Sequence, residues 1–525
     1  MQRISIPLDH LGALRPIIEF LHAHQVDSWL VGGYVRDVVR GQPGIDFDIA
    51  IDGPALSLAR ALADRSGGAF VLLDEPTESA RVVWPTTAEV SRIVVDLVRL
   101  RAPSIDADLR LRDFTINALA LPLAQAASGN FSVDALIDPT GGLADLAARQ
   151  IRACAAAALV DDPLRMLRAV RFAAQLGFTI AAETDTRLRQ HASLIDNVAQ
   201  ERIRDELLKI LVADHAAPWL AYLDDVRLLT RIMAELEPAR DCAQPSIHVL
   251  PVLGHLFETV CAWEWLYSEL RADQAGRTYE AGPAQPGDLM VPLAVQQYPT
   301  LRVSLPNTSQ ILARMQQDLM AGHARIAFFK LAALLHDVAK PVTKEIKPDG
   351  RITFYDHQTV GAELAGQIGR RLRLSREAVG YLQLVVREHM RPGQLRALGP
   401  SLTRRAVYRL LHDTREAFPD VLMHALCDHL AVRGQQLSVD DWQHHIAWAS
   451  ALLTADNMQH QPTQSARLIT GVDIVQGLGV PPGPKVGQIL AAVDEAQFVG
   501  EIRTREEALE LAARIADQKQ PKHNS

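Results

Sequence analysis

The sequence predicts an α+β protein, with a mixed α/β head followed by a body that is mostly helical. Two contrasts along the chain carry that prediction. Short runs rich in β-branched and apolar residues, 69–73, 81–85 and 93–100, all fall before about Leu123. From Leu143 to about Leu236 they give way to stretches dominated by Ala, Leu and Arg with few breakers, the composition of helices. An aromatic fraction of only 5% suits such a helical body.

The 525 residues are enough for several domains, and 48% hydrophobic with 22% charged residues is ordinary for a globular chain. A formal net charge of −8 excludes a uniformly basic nucleic-acid binder but leaves room for local arginine-rich surfaces. Cys154, Cys242, Cys261 and Cys427 are scattered without metal or disulfide spacing and read as core residues of a reduced, cytoplasmic protein. The N-terminus lacks a signal-peptide pattern, and there is no charge-free apolar run long enough to span a bilayer, so no membrane partner is expected.

Breakers divide the chain into a head over residues 1–125, a helical neck over 126–236, a helical block over 247–455 and a short helical module over 465–517. Residues 238–246 and 457–464 read as linkers, and the Gly/Pro-rich stretch 272–306 as a long loop or insertion. The polar tail from Gln518 is expected to be disordered.

The densest motif begins at Trp29-Leu30-Val31-Gly32-Gly33-Tyr34-Val35-Arg36-Asp37, a strand entering a glycine turn and a helix. Gly32 and Gly33 let backbone amides approach an anion at a helix start, and Arg36 adds a charge-assisted phosphate contact. Next comes Ile45-Asp46-Phe47-Asp48-Ile49, an apolar strand carrying two acids. Side chains alternate, so Asp46 and Asp48 share a face and repel unless a cation lies between them; beside phosphates that cation is expected to be Mg²⁺. Together these residues resemble the first motif of the DNA polymerase β-like nucleotidyltransferase superfamily.

Further on, Arg112-Asp113 forms either a ribose-binding pair or a surface ion pair, and 138–146 is a turn into a helix that reads as a linker or hinge. In Asp161-Asp162-Pro163-Leu164-Arg165, Pro163 suits a first helical turn capped by Asp161 or Asp162. Arg165, Arg168 and Arg171 then recur every third residue, a stripe without obvious acidic partners that calls for an anion. Asp162 and Arg165 offer an acceptor and a forked donor side by side, able to read a base edge without a template.

In this order the motifs resemble the bacterial class II tRNA nucleotidyltransferases, the CCA-adding enzymes, and the related poly(A) polymerases. The resemblance implies that Asp46 and Asp48 hold catalytic metals and that Gly32, Gly33, Arg36 and Asp37 surround the triphosphate. It implies ribose recognition by Arg112 and Asp113, base reading by Asp162 and Arg165, and phosphate contacts from Arg168 and Arg171. Asp96, on an apolar strand, is a candidate third carboxylate, with a buried edge-strand acid as the alternative. The chain departs from the family in carrying Asp161-Asp162 where Glu-Asp is usual. Residues 99–108 stand where relatives carry a flexible loop associated with the final adenosine, and are compact here.

In the helical block, His336-Asp337 ends an apolar helix, with His255 upstream and His357, His389 and Asp428 downstream. Imidazoles with carboxylates suit a divalent metal. The set resembles the HD phosphohydrolase superfamily, with His255, His336, Asp337 and Asp428 as core ligands of an unidentified divalent metal and His357 and His389 serving a second. Residues from Leu468 through Ala508 resemble the C-terminal segment of long bacterial CCA enzymes, an RNA-binding module or a packed helical hairpin.

The expected function is therefore template-independent addition of CCA to the tRNA 3′ end from CTP and ATP, with HD phosphohydrolase side activity. The alternatives are an A-adding enzyme or polynucleotide adenylyltransferase and, from another class, an RNA-repair HD phosphohydrolase with a nucleotide-binding head.

Overall fold

The computed structural model describes residues 3–84, 93–276, 291–399, 402–460 and 467–517. Two compact units emerge: one holds the residues up to Ile210 with Leu223–Ile232, the other Leu211–Tyr222 and the residues from Met233 onward. Residues 85–92, 277–290 and the tail from Gln518 lie outside the description, as do parts of the expected insertion and second linker.

The first unit is built on strands β1 (Arg3–Ser5), β2 (Ser28–Val31), β3 (Asp46–Ile51), β4 (Ala69–Asp74), β5 (Ser79–Trp84), β6 (Ile93–Arg99), β7 (Ala120–Pro122) and β8 (Asn130–Ser132). Six of them form one sheet in the order β4-β5-β6-β3-β2-β7, with only β3 and β6 parallel. Alternation along β3 buries Phe47, Ile49 and Ile51 completely or nearly so on one face and sends Asp46 and Asp48 to the other. The β6 acid Asp96 stands in an interior strand, which corrects the edge-strand alternative.

Helices α1 (Leu8–Ala23), α2 (Gly32–Val39), α3 (Ala55–Ser66), α4 (Ile105–Arg110), α5 (Leu123–Ala126), α6 (Gly142–Ala148), α7 (Ala158–Asp161) and α8 (Arg165–Leu176) complete the part that positions the site. The α8 helix starts at Arg165, later than expected: Pro163 and Leu164 form a turn, in which the Leu164 amide donates to the Asp162 carboxylate at 3.3 Å. The turn at 138–146 is a capped helix start. Asp138 accepts from the amides of Gly142 and Leu143 at 2.7 and 2.9 Å, satisfying two donors that open α6.

In the second unit the helix Val252–Gln274 runs beyond the expected start of the insertion, and Leu301, Val303 and Leu305 are buried in the core while 273–276 and 299–300 are exposed. The stretch 238–246 alternates exposed residues, Pro238, Asp241, Ala243 and Ser246, with anchored ones. A 3₁₀ turn, Ala234–Ala239, buries Leu236 and Ala239, and Cys242 is buried after it. The C-terminal residues form their own small core, Ile489 and Val493 of the helix Pro484–Val499 meeting Ala508 and Ala512 of the helix Arg505–Asp517. No helix among the described residues is long and apolar enough to cross a membrane.

A Cβ added to Gly142 would lie 2.1 Å from the Thr115 carbonyl oxygen, so the α6 start touches backbone that a side chain would displace. Gly142→Ala is expected to cost about 1–3 kcal/mol, read by denaturant unfolding. Gly12→Ala, in an open position of α1, is expected to be neutral or to gain up to about 1 kcal/mol.

Candidate active sites

The head site follows from the register. Asp48 is the direct partner of Val31 on β2 and of Asp96 on β6, and Asp96 is in turn the partner of Arg81 on β5. Asp46, Asp48 and Asp96 therefore lie on one face. Arg81 engages Asp96 through two hydrogen bonds of 2.8 and 2.9 Å. Burial, with Asp96 and Asp46 adding to it against Arg112, pushes the Asp48 carboxyl up to about 6. Such a set is able to hold a divalent cation, whose charge would offset both the burial and the repulsion that raise Asp48.

Gly32 explains itself here. Its φ is +70°, and a Cβ would stand 3.0 Å from Asp48 Oδ2 and 3.3 Å from Arg112 Nη1. Only glycine keeps the space between acid and arginine open.

A cavity of about 370 Å³ adjoins these acids. It gathers Asp48, Arg112, Asp113, Asp162, Arg165 and Arg168 from segments up to 120 residues apart in sequence. Arg99, Arg101 and Arg202, which the motifs did not single out, also line it.

The arginine stripe differs from expectation because its members do have partners. Arg168 grips buried Asp113 at 2.6 and 2.9 Å, Arg171 pairs with Glu206 at 2.5 Å, and Arg165 donates to the carbonyls of Leu111 and Ala158 at 3.1 and 3.3 Å. Asp162 bonds through its side chain to Arg202 at 2.9 Å; its link to Arg165 is through the backbone, the Arg165 amide donating to the Asp162 carbonyl at 3.0 Å, and both side chains line the cavity. Arg36 is buried and turned to Asp37, at 2.7 and 2.9 Å, and to Asn117 Oδ1 at 2.8 Å. Neither Arg36, Asp37 nor Arg171 lines the cavity. The residue missed in sequence was Asn117. Its amide accepts from Arg36 and donates to Asp113 at 3.2 Å, joining the glycine-turn helix to Arg168 in one chain of bonds.

The second site lies within the other unit. His255 Nε2 is 3.1 Å from His336 Nε2, 3.0 Å from Asp428 Oδ1 and 3.5 Å from Asp337 Oδ2. His357 and His389 bring their Nε2 atoms to 3.3 and 3.7 Å from Asp337 Oδ1. The Nδ1 atoms of His336, His357 and His389 lie 2.9, 2.7 and 2.6 Å from the carbonyls of Ala333, Phe354 and Val386. A carbonyl takes only an N–H, so each neutral ring carries its proton there and turns the Nε2 lone pair inward. Lone pairs and carboxylates then face one another, and Asp337 Oδ1 is buried without a hydrogen-bond donor.

The cluster demands positive charge, which a proton can supply only in part. His336 is pushed up to about 10, against burial, by Asp337 and Asp428. The donor set thus fits divalent metal. Sequence reasoning missed Lys340, whose Nζ lies 2.5 Å from Asp337 Oδ2, and His424, fully buried with neither ring nitrogen bonded. Their spacing from the motif residues, i+3 from Asp337 and i−4 from Asp428 on helices, was the available signal.

Carboxylates on a mixed sheet beside an arginine-lined cleft are the equipment of nucleotidyl transfer, so the class of protein is a nucleotidyltransferase carrying a separate His/Asp centre. Residues 28–152 match the poly A polymerase head domain, 177–240 the probable RNA and SrmB-binding site of polymerase A, and 307–430 the HD domain. The chain is 34% identical over 496 residues to the A-adding tRNA nucleotidyltransferase of Deinococcus radiodurans, covering 93% of this chain and 95% of that one. It is 33% identical over 487 residues to the CC-adding tRNA nucleotidyltransferase of Geobacter sulfurreducens, covering 93% and 91%. The solved structure of a CCA-adding enzyme with ATP has the same fold, with a TM-score of 0.60 at 20% identity over 97% of this chain and 98% of that one. The chain belongs to the class II CCA-adding enzyme and poly(A) polymerase family, as a tRNA nucleotidyltransferase with an HD domain.

Asn117→Ala removes the buried acceptor of Arg36 Nη1 and one of two donors to Asp113 Oδ1, the Phe114 amide remaining, a loss of about 1–3 kcal/mol. The expected outcome is a lower Tm and a raised KM for nucleotide in tRNA extension.

Proposed function

We propose that the head adds CC to the tRNA 3′ end from CTP, on Mg²⁺ held by Asp46 and Asp48. The observation that carries this reading is the connection between β6 and α4. It is pinned: the Arg101 amide and Nε both donate to buried Asp108, at 3.0 and 3.2 Å, and Ser104 caps α4 through the Ala107 amide. Relatives that finish with adenosine are associated with a flexible loop at this place. Full CCA addition, the expectation from sequence, is the second reading, and A addition the third.

Bound Mg²⁺ would lower the pKa of the attacking 3′-hydroxyl and offset charge on the triphosphate. Asp96, oriented by Arg81, adds a third carboxylate on the same face. Asp162 and Arg165 are held by Arg202 and by backbone carbonyls, so their free edges are preorganised to meet the donor and acceptor edge of a base. Arg168, fixed by Asp113, supplies positive charge beside the phosphates. In the HD centre, His255, His336, Asp337 and Asp428, with His357 and His389, support a metal-dependent phosphohydrolase acting on phosphomonoesters or 2′,3′-cyclic phosphates.

The test uses tRNA transcripts lacking CCA, ending in C or ending in CC, each with Mg²⁺ and with CTP, ATP or both, read at single-nucleotide resolution. Growth of the bare transcript by two residues and none of the CC-ended one is expected. Completion to CCA overturns CC addition in favour of the full reaction, A added only to the CC end gives the A-adding reading, long A tracts give polyadenylation, and no growth moves the function to the HD centre. Asp48→Ala is expected to cut extension at least about a thousandfold, the worth of about 4 kcal/mol, and to spare phosphatase activity; Asp337→Ala is expected to do the reverse.

A further inference from the structure

A third group of ligating side chains lies outside both sites. It joins the end of the helix Phe418–Arg433 to the start of the helix Val439–His460 and consists of His429, Asp441 and His445. One ligating atom from each falls within 4.8 Å of the others. His429 Nε2 is 2.8 Å from Asp441 Oδ2, while Arg396 holds the other carboxylate oxygen at 2.7 Å. The rings of His429 and His445 lie 3.9 Å apart between centroids.

An ion pair of Arg396, Asp441 and His429 would be a complete structural arrangement without His445. The second histidine is what that arrangement leaves unexplained. His445 is only 4% exposed, and its Nδ1 has no hydrogen-bond partner among the described residues. Leaving such a nitrogen unpaired in the interior costs free energy that a nearby acceptor, water or metal would recover. Asp441 and His445 are four residues apart on one helix, so they present to the same side, where His429 meets them.

We propose that His429, Asp441 and His445 form a binding site for a zinc-class divalent cation, separate from the metals of the head and of the HD centre. Two imidazoles and one carboxylate are borderline ligands that favour Zn²⁺ over Mg²⁺. The ion enters between His429 and Asp441 Oδ2, replacing their hydrogen bond. Arg396 keeps Asp441 oriented from the far oxygen, as outer partners of ligating carboxylates do. Asp441 is 31% exposed in its side chain, which leaves a path for the ion and a position for water as fourth ligand. Once filled, the site clamps the helix that carries Asp428 to its successor.

The experiment counts metal. Full-length protein is stripped with chelator, equilibrated with Zn²⁺ and assayed for bound zinc per chain by mass spectrometry, with Co²⁺ absorption as a second readout. His445→Phe keeps a ring against His429 and removes both nitrogens. It is expected to bind one equivalent less than wild type and to lose part of the Co²⁺ band, with tRNA extension unchanged. The one-equivalent difference is expected again in an Asp337→Ala background, which assigns it outside the HD centre. Asp441→Asn, at a more exposed position, carries the same count if His445→Phe does not fold, with zinc affinity reduced by more than about tenfold. Equal stoichiometry and affinity in wild type and in the folded variants would overturn the site.

Discussion

The head depends on the register of β3. Asp48 faces Val31 on one side and Asp96 on the other, and the same pairing turns Phe47, Ile49 and Ile51 into the core. Because side chains alternate, a slip of one residue would send both acids into that core and expose the three apolar residues. Burying charge and losing apolar burial would each cost several kcal/mol, so the energetics that fold the sheet also fix the carboxylates. The acidic face and the hydrophobic face are two readings of one alternation. Gly32 belongs to the same constraint, since it ends β2 where any side chain would press on Asp48 and Arg112.

Charge around the cleft is organised by pairing. In the walls Arg168 is paired with Asp113 and Asp162 with Arg202, and outside the cavity Arg171 is paired with Glu206, so these charges are held in fixed positions. That arrangement agrees with an overall charge of −8 and suits a protein that must bind nucleotide by geometry more than by long-range attraction. Asn117 is central because it is neutral. Its amide can accept from Arg36 and donate to Asp113 at once, which no charged residue could do.

These features mark what the sequence made legible and what it did not. Asp46 and Asp48 could be assigned to one face because their spacing matches a strand's period, and His336-Asp337 stood out against an apolar helix. The strands β4, β5 and β6 were visible as β-branched runs for the same local reason. Partners distant in sequence were not visible: Glu206 lies 35 residues from Arg171, and Asp113 lies 55 from Arg168, so the stripe looked unpaired. The stretch 238–246 shows a related limit. Its Pro and polar residues are turn formers, but Leu236, Ala239 and Cys242 anchor it to the core, and only tertiary packing decides between the two.

The helix Phe418–Arg433 shows how one element can serve separate chemistries. Residues four apart lie on one side of a helix, and adjacent residues diverge by about 100°. His424 and Asp428 accordingly turn toward the HD centre, with the His424 ring 4.7 Å from that of His336 and Asp428 Oδ1 3.0 Å from His255. His429, one position on, turns to Asp441 and His445 instead. A helix bearing a ligand on one side needs its axial position and rotation held from another, because displacement of less than an ångström would spoil distances of about 2 Å to a metal. The polar contact at His429 gives the helix such a hold at the residue next to Asp428.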